Sequence, residues 1–284
     1  MMVSVIIPCH GGAPLREQLQ SLRAQDYTGP WEVLISDNGI SVETREVVEE
    51  FALGWPALSV LDATQQRGKS YAVNLAVSVA RGTHLVLLDS DDVVNPGYLR
   101  HLTAAMECYD FVGARLDSVT LNPGWVRARR KPLQESGLET LLDHRPVVIG
   151  AGMAMSKTAY LQVGGFDEEL QTQVDLDLSW RLQSAGFIPH FMPEAVVQYR
   201  YRQDVAAVFQ QERRYGRGEV ALYCKHRTDG LPPRRLRRVV RSWLDLAVAL
   251  PRFGTRAGRA RIATTAGAIM GRIEGSIRHR VLYL

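Results

Sequence analysis

Cysteine is scarce in this chain and follows no pattern. Cys9, Cys108 and Cys224 lie far apart, are odd in number and show no CxxC or Cys/His spacing. That excludes a disulfide scaffold and a zinc module and points to a reducing, cytoplasmic setting. Long apolar runs are missing too: the longest late one, residues 244–250, is interrupted by Asp245 and falls far short of a bilayer span. The first residues enter a strand pattern with no basic stretch or cleavage site ahead of it, so no signal peptide is expected. No nucleic-acid module is recognisable, so the formal charge of +4 does not argue for nucleic acid as a partner.

What is present suffices for a sizeable core: 284 residues with 46% hydrophobic content, a length that admits one large domain or two small ones. The charge is unevenly spread. Residues 1–225 carry 21 Lys+Arg against 27 Asp+Glu, net −6, whereas residues 226–284 carry 13 against 3, net +10.

The stretch HLVLLDSDD, residues 84–92, organises the rest. Four consecutive apolar residues, 85–88, have no helical period and read as a strand buried on both faces. Asp89, Asp91 and Asp92 follow at its carboxyl end, the edge where open α/β sheets bind ligands. Clustered carboxylates repel, and a hard divalent cation shared with substrate phosphates relieves the repulsion. A solvated turn capping a helix begun by Pro96 is the alternative.

Upstream, residues 3–7 form a strand closed by Pro8 and the Gly11-Gly12 loop, and Pro14 suits the first position of a helix carrying Leu15, Leu19 and Leu22 on one face. Residues 31–35 form a second strand ending in Ser36-Asp37-Asn38-Gly39, which either presents a carboxylate at a strand end or closes an Asx-turn. A helix with Val47, Val48 and Phe51 and a short strand at 58–61 come next. Gly68-Lys69-Ser70 opens the helix 71–80 but completes no P-loop, because no glycine stands at or beside Asp62; Lys69 is then a phosphate ligand or a solvated lysine. Strands alternating with helices of this length argue for βαβ units and a mostly parallel sheet.

SVIIPCHGG, LISDNG, QQRGKSYAVNLAVSVARG and HLVLLDSDD, in this order, resemble the nucleotide-binding half of a family 2 glycosyltransferase with the GT-A fold. GAGMAMSKTAYLQVGGFDEEL followed by VDLDLSWRLQSAGF resembles its acceptor half, so the likeness covers roughly residues 3–220. The resemblance implies that Pro8 shapes the nucleotide pocket, Asp37 meets the base or ribose, Asp89 lies near the ribose, Asp91 binds a divalent cation, manganese or magnesium, and Asp175 is the catalytic base. The family's Glu-Asp pair reads Val174-Asp175 here, and Asp177, two residues on, points to another face of the helix. Gln198 and Tyr199 stand where many relatives carry a histidine, so no further metal ligand is expected there. Gln211-Glu212-Arg213-Arg214-Tyr215 is faintly similar to an element of processive synthases; Arg213 and Arg214 either reach the diphosphate or form an exposed pair.

Beyond Pro232 the pattern is helical. Leu236, Val239, Val240, Trp243, Leu244 and Ala247 form an apolar stripe among Arg234, Arg237, Arg238 and Arg241, and a second helix is expected over 262–277 with Ile262, Ala266, Ile269, Ile273 and Ile277 on one side. These helices either pack on the enzyme or across a homodimer, or they lie on a membrane surface.

The expectation is a GT-A domain over 1–225 with a basic helical extension over 226–284. It transfers sugar, with inversion, from a UDP-, dTDP- or GDP-linked donor to a glycan, lipid-linked or small-molecule acceptor. The setting is cytoplasmic, with peripheral contact at the inner membrane face. Two other classes compete: a sugar nucleotidyltransferase, which would place a basic Gly-rich signature near Gly11-Gly12, and a non-catalytic nucleotide-sugar-binding module, for which Val174 speaks. Specificity would reside in loop shape and in the segment 122–144 with Arg127, Arg129, Arg130 and Lys131.

Overall fold

The computed structural model describes every residue except Gly12, Ala13, Ile40, Ser41, Pro56 and Arg130. The second glycine of the first loop and one arginine of the 122–144 segment therefore lie outside the described residues.

The chain opens with β1 (Val3–Cys9), α1 (Leu15–Arg23), β2 (Trp31–Asp37), α2 (Val42–Ala52), β3 (Leu58–Asp62), α3 (Lys69–Val79) and β4 (His84–Leu87). β1 runs through Pro8, which sits past Ile6, the last residue paired with β4. Pro14 immediately precedes α1 instead of starting it. Next come β5 (Val93–Val94), α4 (Tyr98–Met106), β6 (Phe111–Asp117), the single turn α5 (Gly124–Arg127), the small ribbon β7 (Thr140–Leu141) and β8 (Arg145–Pro146), β9 (Met153–Ser156) and α6 (Lys157–Gln162). The chain ends with α7 (Val174–Ser184), β10 (His190–Gln198), α8 (Val205–His226), α9 (Leu236–Ala249) and α10 (Arg256–His279).

One sheet in the order β3-β2-β1-β4-β9-β6-β10-β5 carries the fold. Its first four strands are parallel, as βαβ crossovers demand, while β9 runs antiparallel between β4 and β6. Period-2 alternation sends side chains to two cores. Val5, Ile7, Val86 and Leu88 join α1, α2 and α4 on one face, and Ile6, Leu85 and Leu87 join α3, α6 and α7 on the other. Leu15, Leu19 and Leu22 are fully buried, each such side chain contributing about 1.5–3 kcal/mol. The polar exception in β1, Ser4, donates to the buried Glu32 at 2.7 Å, and Arg81 closes that carboxylate through its backbone and side chain.

The tail is helical, and the expected isoleucine stripe is used only in part: Ile269 is buried and lies with Ile273 beside α9, while the seam with α8 is built otherwise. α10 begins at Arg256, and Ile277 is 73% exposed. It lies against α8 through glycines. A Cβ at Gly271 would meet the Arg213 carbonyl at 2.0 Å, one at Gly267 the Phe209 carbonyl at 2.6 Å, and one at Gly216 the Ala268 carbonyl at 2.4 Å. Backbone approach this close leaves no room for isoleucine at the seam. Among the described residues no helix is long and apolar enough to cross a membrane.

Candidate active site

The carboxyl ends of β1, β2 and β4 and the amino ends of α3 and α7 converge on two clefts that share Lys69, Asp89, Tyr199 and Tyr215. The larger, about 670 Å³, lies over β1 and β4 and is lined by Pro8, Asn38, Arg67, Asp91 and Arg202 among others. The smaller, about 420 Å³, reaches from Asp175 toward α8 and holds Ile149, Gly150, Tyr201, Glu212 and Glu219.

Lys69 is the hinge between them. It occupies the first turn of α3 after Gly68, whose φ of +138° only glycine adopts readily, and it is ion-paired with Asp89. Burial would lower the Lys69 ammonium, but the charge and hydrogen bond of Asp89 and the charge of Asp175 hold it above its ordinary range. Asn38 sets this loop: its Oδ1 accepts from the Gly68 N–H at 2.8 Å, and its amide donates to the carbonyls of Gln66 at 2.7 Å and of Ala63.

Asp91 sits at the base of the larger cleft, and burial followed by the charge of Asp89 raises its carboxyl above the ordinary value, against the pull of Arg202 at 3.6 Å. Asp92 turns inward instead. Its Oδ1 accepts from the Arg200 N–H at 2.7 Å, Oδ2 is buried without a hydrogen-bond partner, and burial with Asp89 and Asp91 pushes it well above the usual carboxylate range. Two crowded carboxylates on a cleft floor, one with its ionised form disfavoured, suit a hard cation that draws its remaining oxygens from a substrate. Among the described residues no three ligating side chains gather, so Asp91 with Asp89 would hold such an ion only together with donor phosphates.

Asp175 lies in the first turn of α7, and the capping position before it belongs to Gln173, held at φ +56° with its amide donating to the Tyr215 carbonyl at 3.1 Å. Asp175 therefore does not serve as the N-cap. Its Oδ2 accepts from the Gly150 N–H at 3.1 Å, and a Cβ on Gly150 would sit 3.4 Å from Lys69 Nζ, so this glycine lets the two groups approach. Burial raises the Asp175 carboxyl above its ordinary value, while the Lys69 charge and the Gly150 N–H oppose the rise. Val174 is buried in the core beneath. Asp177 faces the other way, fully buried against His226 Nε2 at 2.8 Å, Lys225 at 2.7 Å and Arg181. Burial would raise it, but these partners hold it far below the usual range and tie α7 to the end of α8. The Gly164-Gly165 turn before α7 uses positive φ at both glycines and is gripped by Asn74, which bonds Phe166 N and O at 3.0 and 2.9 Å and Glu168 at 2.8 Å.

The folded chain thus brings Pro8, Lys69, Asp89, Asp91 and Asp175 to one place, and three expected residues elsewhere. Asp37 does not face the larger cleft. It ends β2 with its carboxylate accepting from the Gly39 N–H at 3.0 Å, an Asx-turn, and it borders a smaller cavity beside Arg45 and Asp62. Arg213 bonds Glu274 of α10 at 2.8 Å, and Arg214 lines a separate cavity between α8, the 167–172 loop and the end of α10. Helical phase is the reason: Gln211, Tyr215 and Glu219, four apart, turn toward the clefts, and residues two or three positions off that row point away. The cationic lining comes instead from Arg67, Arg200 and Arg202, of which Arg200 also donates from Nε to the Asp91 carbonyl at 2.8 Å. The alternation Tyr199-Arg200-Tyr201-Arg202 after β10 was the available signal.

A family described as "Glycosyltransferase like family 2" matches residues 2–218. Among curated proteins the chain is 28% identical over 264 residues to the succinoglycan biosynthesis protein ExoA of Rhizobium meliloti, covering 88% of this chain and 76% of that one. It is 24% identical over 225 residues to the glycosyltransferase AglE of Haloferax volcanii, covering 78% and 74%. Among solved structures it resembles a mannosyltransferase from Pyrobaculum calidifontis in complex with GDP-Man and Mn2+, with a TM-score of 0.67 at 20% identity over 96% of this chain and 86% of that one. It also resembles S. aureus TarS residues 1–349 in complex with UDP-GlcNAc, with a TM-score of 0.56 at 18% identity over 100% and 93%. These likenesses show the GT-A fold.

Proposed function

The chain belongs to the glycosyltransferase-like family 2 and is a glycosyltransferase, and from that premise we propose that it moves a sugar from a nucleoside diphosphate to an acceptor hydroxyl with inversion at the anomeric carbon. One observation carries this reading: the larger cleft with Asp91 and the smaller cleft with Asp175 meet at the Lys69–Asp89 pair. The larger cleft suits the donor, with Arg67 and Arg202 for its phosphates and Asn38 with Pro8 beside the nucleoside. A divalent cation bound there supplies charge neutralisation for the departing diphosphate.

In the smaller cleft Asp175 is, among the described residues, the carboxylate left for chemistry, since Asp89 is ion-paired with Lys69. Glu212 is ion-paired with Arg129 at 3.8 Å, and Glu219 with Arg272 at 3.4 Å and Arg234 at 3.5 Å. Asp175 accepts the proton of the acceptor hydroxyl, the hydroxyl oxygen bonds to the anomeric carbon, and the bond from that carbon to the diphosphate oxygen breaks on the opposite side. Lys69, charged across the working range, stands between base and leaving group and steadies the negative charge that moves from one to the other.

A thermal-shift screen of UDP, GDP and dTDP with and without manganese tests the donor half. A ligand at about 100 times its Kd adds about 2.7 kcal/mol, or roughly 4–5 °C for a chain of this size. Equal stabilisation by a nucleotide in manganese and in excess chelator removes the cation from the reading, and nucleotide binding with no transfer across a broad acceptor panel removes the transfer.

A further inference from the structure

We infer that α9 is a membrane-docking element that seats the protein on the surface of an anionic phospholipid bilayer. A helix on a folded domain ordinarily turns its apolar stripe inward. α9 does the reverse. Its inner edge, with Val239 and Ser242, rests near Ile269 and Ile273 of α10, while Leu236 is 76% exposed and Leu244 59%. Val240 and Val248 share that outward face, Trp243 stands at its edge, half-exposed while also lining the cavity against α10, and Phe253 in the following turn is exposed as well. On the helical projection Arg237 falls between Leu244 and Val248 and Arg241 just beyond Val248, and both are exposed. A helix lying in the headgroup plane has this composition, leucine and tryptophan with arginine beside them.

Charge selects the occupant. Residues 226–284 carry net +10, which an anionic leaflet attracts and a second copy of the same face repels, because pairing two α9 helices face to face would bring Arg237 and Arg241 of both together.

The location also fits. Arg238 bonds Asp143 at 2.5 Å, and Arg234 pairs at 3.5 Å with Glu219, which lines the smaller cleft. A bilayer under α9 therefore lies beside the cleft assigned above to the acceptor, and that last step alone rests on the proposed transfer.

The test is co-sedimentation of the full chain with vesicles of phosphatidylcholine alone and of phosphatidylcholine with phosphatidylglycerol, at low and high salt. Binding to the anionic vesicles only, released by salt, is expected. Arg237→Ala with Arg241→Ala should lower partitioning about thirtyfold, since each basic residue near an anionic surface contributes about fivefold. Val240→Asp with Leu244→Asp should abolish binding while thermal stabilisation by nucleotide and manganese persists, which separates a failure of docking from a failure of the donor site. Trp243 emission should shift to the blue on vesicle addition, and a Trp243→Phe variant should lose the shift. The inference falls if the wild type stays in the supernatant with anionic vesicles at low salt, if the double aspartate variant binds as well as wild type, or if that variant instead converts a dimer to a monomer in light scattering.

Discussion

Replacing Asp175 by Asn separates catalysis from folding with unusual clarity, because the two effects should have opposite signs. Burial holds the Asp175 carboxyl above its ordinary value. A folded-state pKa above the unfolded one means that folding favours the protonated form, so a stability cost sets in as the pH rises past the unfolded value near 4, is complete above the folded pKa, and is absent below the unfolded value. Asparagine keeps an oxygen for the Gly150 N–H, 3.1 Å from Oδ2 in the native chain, and carries no charge to desolvate. Lys69 retains Asp89 as its partner. The variant should therefore be as stable as wild type or more so at neutral pH, and should bind nucleotide and manganese unchanged. Turnover should fall about 10²–10⁴-fold, a barrier increase of about 3–5 kcal/mol. The assay is product formation under donor saturation, with urea melts in parallel. The pH profile gives an independent reading. The base must be ionised, so kcat/KM should fall on the acid side at a pH above the usual aspartate range, and Lys69→Met, which removes the charge opposing the rise, should move that limb higher still. Near-wild-type transfer by Asp175→Asn, an acid limb at an ordinary aspartate value, or a product retaining the donor's anomeric configuration would refute the assignment.

Other perturbations probe other parts of the chain. Asp91→Asn removes one hard oxygen from the floor of the larger cleft and should weaken manganese-dependent nucleotide binding while leaving the melting temperature of the free protein within a few degrees; calorimetric titration with and without the ion reads this directly. Asp177→Ala strands Arg181, Lys225 and His226 around a vacated buried site and should cost about 3–5 kcal/mol in urea unfolding, whereas a loss below 1 kcal/mol would mean the cluster is not holding α7 to α8. The depressed Asp177 value makes its contribution present above about pH 4 and lost as the pH falls through the folded-state value, so Asp177→Asn should flatten the acid limb of the stability curve. Gly271→Val puts a side chain where a Cβ already meets the Arg213 carbonyl at 2.0 Å, which should force α8 and α10 apart and destabilise by about 1–3 kcal/mol or more; an unchanged urea midpoint would contradict the glycine seam.

Much of the site was legible because its parts are local. A strand's period, the turn that ends it and a carboxylate beside that turn are properties of a few consecutive residues, and in a parallel sheet the strand ends gather on one edge whatever the loops do. That is why Asp89 and Asp91 could be placed at the ligand-binding edge from local pattern, whereas Lys69 stayed open and Asp175 was joined to them only through the family resemblance. Where two readings of the same residues had equal local merit, neighbours distant in sequence decided. Asp37 closes an Asx-turn while the adjacent Asn38 faces the cleft and ties down Gly68, a choice that depends on how the 63–68 loop crosses β2. Asp175 is not the N-cap, a position Gln173 holds, and its carboxylate accepts from the Gly150 N–H of another element as well as from the Leu176 N–H of its own helix.

Spacing along the chain was enough for the order of the elements through β4, the buried faces of α1 and β4, and the basic amphipathic character of the tail. The rotational setting of α8, and with it the exclusion of Arg213 and Arg214 from the cleft, came from packing between distant segments, because a helix presents every phase equally until something packs against it. What packs is α10, through Gly267 and Gly271 against backbone carbonyls of α8 and through Gly216 of α8 in return. Glycine adds nothing to an apolar stripe, so a reading based on hydrophobic period followed the isoleucines and passed over the residues whose missing side chains let the two backbones touch.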